Sequence, residues 1–271
     1  ILLPNKIGSA DGVVFYYEQK MFILLVGPPY ELKPMFTESV IPLLIDKGNP
    51  PLIKDYMVMG ESESYLEEFL SDFIRKYPNK IAPYASNALI RYRILNPREE
   101  QATHLAMIHE FEQKMASYII SKTNQSIEEV LVGELLEQKL TISFAESCTG
   151  GKLSSMVVSI PKASYVLKES LIAYDRNSKM KRLGVLATTI ENEGVVSQKT
   201  TEEMARGLFK NTKADICVAV SGYAGPDGDQ VGLVCFSIYV LGTMHYYTKR
   251  FGGNRQMVIL RTSRYILYQT W

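Results

Sequence analysis

Cysteine is scarce in this sequence. Only Cys148, Cys217 and Cys235 occur, and no two stand in a C-x-x-C spacing. An odd number without that spacing gives neither a disulfide framework nor a cysteine zinc site, and it points to a reducing, cytoplasmic setting. A charge surplus is missing too: 30 basic side chains against 29 acidic ones leave a formal net charge of +1. That balance gives no sign of a dedicated nucleic-acid site. No apolar run reaches the roughly 18 residues of a membrane span, and no N-terminal stretch has the basic, apolar and small segments of a signal peptide. Internal repeats and low-complexity tracts are absent. Histidine chemistry has three candidates only, His104 and His109 in a predicted helix and His245 in a predicted strand. Asp11, Glu18 and Glu31 are too scattered to frame a metal site, so neither metal nor cofactor is expected. An initiator methionine is also missing: the chain starts Ile1-Leu2-Leu3-Pro4, which reads as a fragment or processed product beginning inside a domain.

What is present is 46% hydrophobic residues over 271 positions, enough for two domains or one large one with real cores. Three regions are legible. In residues 1–51, Val13–Tyr17 and Met21–Val26 read as a hairpin about Glu18-Gln19-Lys20. A helix follows over Lys33–Ile45 with Pro34 in its first turn, then a Lys47–Pro51 linker. Residues 52–123 read as strand, helix, strand, helix. Tyr56–Met59 is a strand, and 62–76 is one helix with Ser64 and Glu67 as its capping box. Pro78 and Pro83 interrupt the pattern, Ser86-Asn87 is a turn, and Ala88–Leu95 is a strand. The second helix carries Leu105, Ile108, Phe111, Met115 and Ile119 on one stripe. Residues 124–271 alternate helices and strands, which predicts a layered α/β domain. Ser126 and Glu129 form a capping box, Ser170–Tyr174 is a strand, Ser197 caps a helix over Gln198–Asn211, a hairpin turns about Leu241-Gly242-Thr243, and a last helix starts near Asn254. The fold class is therefore α/β: a layered α/β C-terminal domain, preceded by a small α+β linking domain and a remnant of an α/β N-terminal one.

Chemistry concentrates where the apolar strand "TISFA" runs into Glu146-Ser147-Cys148-Thr149-Gly150-Gly151. A helix start offers unpaired N–H groups and a positive dipole end, and glycine lets a ligand approach the backbone. Three readings stand at this point. One is a phosphate cradle, although the segment does not match G-x-x-x-x-G-K-[ST]. Another is a serine nucleophile beside an oxyanion hole. The third is a cap with a tight packing turn. A serine nucleophile needs a base, and a lysine with a lowered pKa can serve. Lys179 stands five positions after Tyr174 in "YDRNSK"; a solvated helix lysine is the alternative for it. Burial of its ammonium, or a neighbouring arginine such as Arg176, would lower that pKa.

The ordered segments "AESCTGG", "AYDRNSK", "EGVVS", "SGYAGPDG" and "GNR", from Ala145 to Arg255, resemble the C-terminal domain of the CinA family of competence-damage-inducible proteins. Its stand-alone, PncC-like form is a nicotinamide-nucleotide amidase. "ILLPNKIGSADG" and "ILLVGPPYELKPMF" resemble the end of that family's molybdopterin-biosynthesis-like first domain, and the middle region resembles its small linking domain. The resemblance implies hydrolysis of nicotinamide mononucleotide to nicotinic acid mononucleotide and ammonia without metal. Ser147 would be the nucleophile, Lys179 the base and Tyr174 a relay or orienting group. The amides of Cys148, Thr149 and Gly150 would hold the oxyanion, with Thr149 also available to the substrate and Arg255 a candidate for its phosphate. Cys148 is a competing nucleophile by chemistry; the family pattern favours the serine. The resemblance also implies a homodimer and a partner in competence or recombination. The alternative function is a catalytically weak nucleotide-binding or regulatory protein. Two departures stand out: Asp227–Gln230 lead directly to Val231-Gly232 where the family's loop is longer, and Gly-Asn-Arg replaces Gly-Asp-Arg. The glycine- and aspartate-rich motifs of the family's metal-dependent pyrophosphatase domain are absent from the sequence, so that activity is not expected of this chain.

Overall fold

The computed structural model describes residues 1–45, 48–86 and 88–271. Of the sequence-predicted loops, Lys47 of the linker and Asn87 of the Ser86-Asn87 turn lie outside the described residues. The chain divides into two compact units, Ile1–Leu52 with Pro97–Glu100, and Ile53–Asn96 with Gln101–Trp271.

In the first unit, β1 (Leu2–Leu3), β2 (Gly12–Tyr17) and β3 (Lys20–Leu24) form an antiparallel sheet. Glu18 and Gln19 both take positive φ, 45° and 62°. The hairpin therefore closes in two residues, with the twist that suits its strands. Helix α1 (Pro29–Met35) starts four residues before the predicted Lys33. Pro29 occupies its first turn, where a missing N–H costs nothing, so Pro34 falls in the interior instead. A π-helical turn over Phe36–Val40 leads into α2 (Ile41–Ile45).

The second unit opens with β4 (Leu52–Val58), α3 (Glu63–Phe69), α4 (Ser71–Lys76), β5 (Ile81–Ser86), β6 (Leu89–Asn96), α5 (Gln101–Met115) and β7 (Ile119–Ser121), the strands ordered β5-β6-β4-β7. Four expectations are corrected here. Ser62, not Ser64, caps α3: its hydroxyl accepts the Tyr65 amide at 3.2 Å. The single helix over 62–76 is two, broken at Leu70. Pro83 does not end a structured stretch; it sits in β5, an edge strand, where a lost ladder donor is tolerated. Ile119 belongs to β7, and α5 buries His104, Met107, Phe111 and Met115 while Leu105 is 57% exposed. The predicted stripe was rotated because it excluded a histidine and a methionine that the core accepts. His104 is satisfied there by Asn96, 2.9 Å away.

The chain continues through α6 (Ile127–Gln138), β8 (Ile142–Glu146), α7 (Lys152–Val158), β9 (Leu167–Ile172), α8 (Arg176–Leu183), α9 (Ala187–Glu193), α10 (Gln198–Thr212), β10 (Ile216–Gly222), β11 (Leu233–Val240), β12 (Thr243–Arg250) and α11 (Arg255–Thr270). The Ser126–Glu129 capping box is present, and Ser197 caps α10 through the Thr200 amide. The five strands are ordered β12-β11-β10-β8-β9. β8 runs parallel to β9 and β10, and β11 and β12 are antiparallel additions. Both faces are covered, so β8 is buried throughout. Ile142 and Phe144 pack into one core with residues of α6, α7 and α11, and Ala145 into another with residues of α8, α9 and α10. Met57, Met59 and Ile120 join the first of these cores.

Helix α10 can approach α8 only because Gly207 has no side chain. A Cβ there would stand 1.8 Å from the Leu183 carbonyl oxygen. Gly207→Ala must therefore displace α8, and a loss of about 2–3 kcal/mol is expected. Urea midpoints of the two proteins check it; an unchanged midpoint would show that the helices separate freely.

Candidate active site

From β8 the chain crosses to β9 on one side and later to β10 on the other. Beyond the carboxyl ends of strands at such a switch point lies a crevice where open α/β sheets bind ligands. Ser147 follows β8 directly, and Tyr223 follows β10. A cavity of about 320 Å³ opens there, and its lining includes Ser147, Cys148, Tyr174, Arg176, Lys179, Tyr223, Asp227 and Arg255. That volume is at the small end for ligand sites.

Helix α7 begins only at Lys152, after Gly151 at φ 94°. Ser147 thus lies in the turn before the helix rather than at its mouth. The helix start is already occupied by Glu146, which is fully buried. Its Oε2 accepts the amides of Gly151 at 2.9 Å and Leu153 at 3.2 Å, and its Oε1 accepts the Ser154 amide at 2.9 Å and hydroxyl at 2.7 Å. Glu146 is thus the acceptor that satisfies the amides of this helix start. Nothing in the spacing singled it out beyond an acid closing an apolar strand.

Lys179 is 2% exposed and Ser147 6%. Asp175 caps α8 through the Ser178 amide. One turn in, Lys179 shares the buried face with Leu183, four residues on. That i, i+4 spacing was the available signal that Lys179 points inward. Its Nζ is 2.8 Å from Ser147 Oγ, 2.7 Å from the Ala173 carbonyl and 3.2 Å from the Tyr174 carbonyl. A neutral amine has two hydrogens and one lone pair. If the two carbonyls accept the hydrogens, the lone pair faces the serine hydroxyl. Burial lowers the Lys179 pKa, against smaller upward effects from Cys148 and Asp175. Arg176 is not the cause; it is paired with Glu191 at 2.8 Å.

The other predicted site residues are placed as follows. Cys148 lines the cavity, but burial pushes its thiol up to about 12, which leaves almost no thiolate at neutral pH. The Gly150 amide is spent on the Ser147 carbonyl. The Cys148 and Thr149 amides donate to no other residue's backbone carbonyl among the described residues. Thr149 is buried, its hydroxyl has no partner, and it does not line the cavity. Tyr174 lies beyond the end of β9, 60% exposed, and its hydroxyl accepts a hydrogen bond from Arg255 at 3.0 Å. Only its backbone carbonyl meets Lys179. Arg255 also donates to the Gly225 carbonyl. Asn254 caps α11 through the Met257 amide at 3.0 Å, so the Gly-Asn-Arg variant still fixes Arg255 at the helix start. No histidine lines the cavity. Among the described residues no group of three or more His, Cys, Asp or Glu is arranged to hold a metal, and no helix is long and apolar enough to cross a membrane.

Fold and site together define an open α/β sheet with a buried serine–lysine pair at its switch point. Family profiles agree with that architecture: one described as the CinA C-terminal domain matches residues 124–270, and one described as the damage-inducible protein CinA KH domain matches residues 54–129. The chain belongs to the CinA family. It is 36% identical over 272 residues to a CinA-like protein of Dictyoglomus turgidum, covering 97% of this chain and 66% of that one. It is likewise 36% identical over 277 residues to a CinA-like protein of Kosmotoga olearia, covering 98% and 67%. It thus spans about two thirds of the length of these relatives. A solved competence or damage-inducible protein from Enterobacter asburiae superposes with a TM-score of 0.52 at 33% identity, over 54% of this chain and 97% of that one. One from Agrobacterium tumefaciens does so with a TM-score of 0.51 at 30% identity, over 55% and 97%. Residues 54–129 contain a single glycine, Gly60, so the segment has no G-x-x-G loop of the kind by which KH domains clamp a nucleotide backbone.

Proposed function

We propose that the chain hydrolyses the carboxamide of nicotinamide mononucleotide, releasing ammonia and nicotinic acid mononucleotide through a serine–lysine mechanism. The observation that carries this reading is the 2.8 Å contact of Lys179 Nζ with Ser147 Oγ inside the cavity. Lys179 takes the serine proton as Oγ attacks the amide carbon. The amide of Cys148, which lines the cavity, is the donor offered to the developing oxyanion, and one such donor is worth about 3–4 kcal/mol in studied hydrolases. The lysine ammonium then protonates the departing nitrogen, and ammonia leaves an ester on Ser147. A water molecule, deprotonated by the same lysine, releases the acid. Cys148 has no part as nucleophile, and Tyr174 acts through its carbonyl on Lys179 and its hydroxyl on Arg255. The cavity's charges suit this substrate: Asp227 is available to the cationic pyridinium, the faces of Tyr174 and Tyr223 to the ring, and Arg255 to the phosphate. Ammonia release from nicotinamide mononucleotide by the purified chain is the test. Binding without release would favour the regulatory alternative.

The pH dependence follows from the depressed Lys179 pKa. Turnover needs the neutral amine, so kcat/KM is expected to rise with pH and level off at an apparent pKa below the ordinary lysine value of about 10.4. In Lys179→Arg this limb should vanish along with the activity. Stability has the same sign. Between the folded and unfolded pKa values the unfolded chain binds the extra proton, so stability rises with pH across that window, and the full penalty is present below it. Denaturant midpoints should lose this slope in Lys179→Met; an identical slope in variant and wild type would contradict the assignment.

A further inference from the structure

The cavity holds a cationic side chain that the proposed chemistry leaves without a task. Arg176 stands at the first position of α8, one turn before Lys179, and lines the same cavity as Ser147 and Arg255. Among the described residues its guanidinium has one polar partner, Glu191 of α9 at 2.8 Å; the two side chains are 46% and 59% exposed. Such solvent-exposed pairs contribute little to stability, so an incoming dianion can displace or share this one at little cost. A guanidinium has five donors, and the Glu191 contact uses Nη2 alone. Arg255, by contrast, already has both terminal nitrogens engaged, by the Gly225 carbonyl and the Tyr174 hydroxyl. Apart from Lys179, the lining carries two arginines against one acid, Asp227. This charge pattern fits a ligand with an anion at the end remote from its amide.

We propose that Arg176 is a specificity-determining residue, a second guanidinium for the substrate's phosphate, by which the site selects a phosphorylated pyridine nucleotide over the corresponding nucleoside. The inference rests on the amidase reading. Glu191 pairs with the guanidinium, and phosphate replaces that carboxylate as the better partner of a planar fork.

The test compares nicotinamide mononucleotide with nicotinamide riboside, which share the pyridinium and carboxamide and differ by the phosphate. Ammonia release by the wild type decides the amidase reading. Calorimetric affinities of the two ligands decide the role of Arg176 whether or not turnover occurs. In Arg176→Gln the preference for the mononucleotide is expected to fall about tenfold, within the range of a charge-assisted contact, and to appear in KM rather than kcat. Glu191→Gln, which frees the guanidinium, should raise that preference. A preference unchanged in Arg176→Gln, or equal losses for both ligands, would overturn the proposal.

Discussion

Ser147→Ala is expected to reduce kcat for amide hydrolysis by at least about three orders of magnitude, with a melting temperature close to that of wild type. The change removes one oxygen, and among the described residues Ser147 Oγ has a single polar partner, Lys179. Lys179→Met fills most of the same space and should reduce kcat to a similar floor. A nucleophile and its base act as a unit, so the double variant should be no slower than either single one. The floor, rather than the size of the first loss, separates a dyad from two independent helpers. Cys148→Ala should retain turnover, because a thiol with its pKa at about 12 supplies no nucleophile at neutral pH. Single-turnover measurements on the four proteins check this. Full activity in Ser147→Ala, or loss of activity in Cys148→Ala alone, would place the nucleophile elsewhere.

The second large effect concerns stability. Glu146 is fully buried, and its oxygens accept three backbone amides and the Ser154 hydroxyl. Glu146→Ala removes the acceptor and leaves those donors buried, at an expected cost of about 3–5 kcal/mol. Glu146→Gln is nearly isosteric but turns an NH2 group toward N–H donors, so it should also destabilise, by about 2–3 kcal/mol. In both, amidase activity should fall further than the folded fraction, because the 147–151 turn loses the group that anchors its far end. Urea titration with activity measured on the folded fraction separates the two effects. A loss under about 1 kcal/mol in Glu146→Ala would mean that water replaces the carboxylate and that the cap is dispensable.

Much of the fold was readable where the determining interactions are local. The two-residue hairpin ends at Glu18-Gln19 and Leu241-Gly242, the Ser126 box and the Ser197 cap all depend on residues within about four positions of one another, and sequence spacing reports those directly. Where a partner lies far along the chain, the reading slipped. Ser64 seemed the better cap because Glu67 completes a box, yet the helix begins two residues earlier with Ser62. β5 was hidden by Pro83, which is harmless only because the strand is an edge, and edge position is a property of the sheet. The α5 stripe was rotated because His104 is acceptable in a core only with Asn96 beside it.

The site divides along the same line. The amino-acid order by itself determined that an acid, a serine and two glycines stand at a strand-to-helix junction and that a lysine follows a tyrosine by five residues; the resemblance of the ordered segments pointed to serine and lysine as partners in one proposed reaction. It could not decide that they touch. Ser147 and Lys179 are 32 residues apart, and on its own Lys179 reads as a solvated helix lysine, the usual state of that residue type. Only the tertiary structure buries it, because α8 packs against the sheet at the switch point and turns the Lys179–Leu183 face inward. Burial supplies what the chemistry requires: water is removed from the ammonium, two backbone carbonyls replace it, and the remaining position on the nitrogen is the serine. The role of Glu146 was decided in the same way, since its donors come together only when α7 folds back over the end of β8.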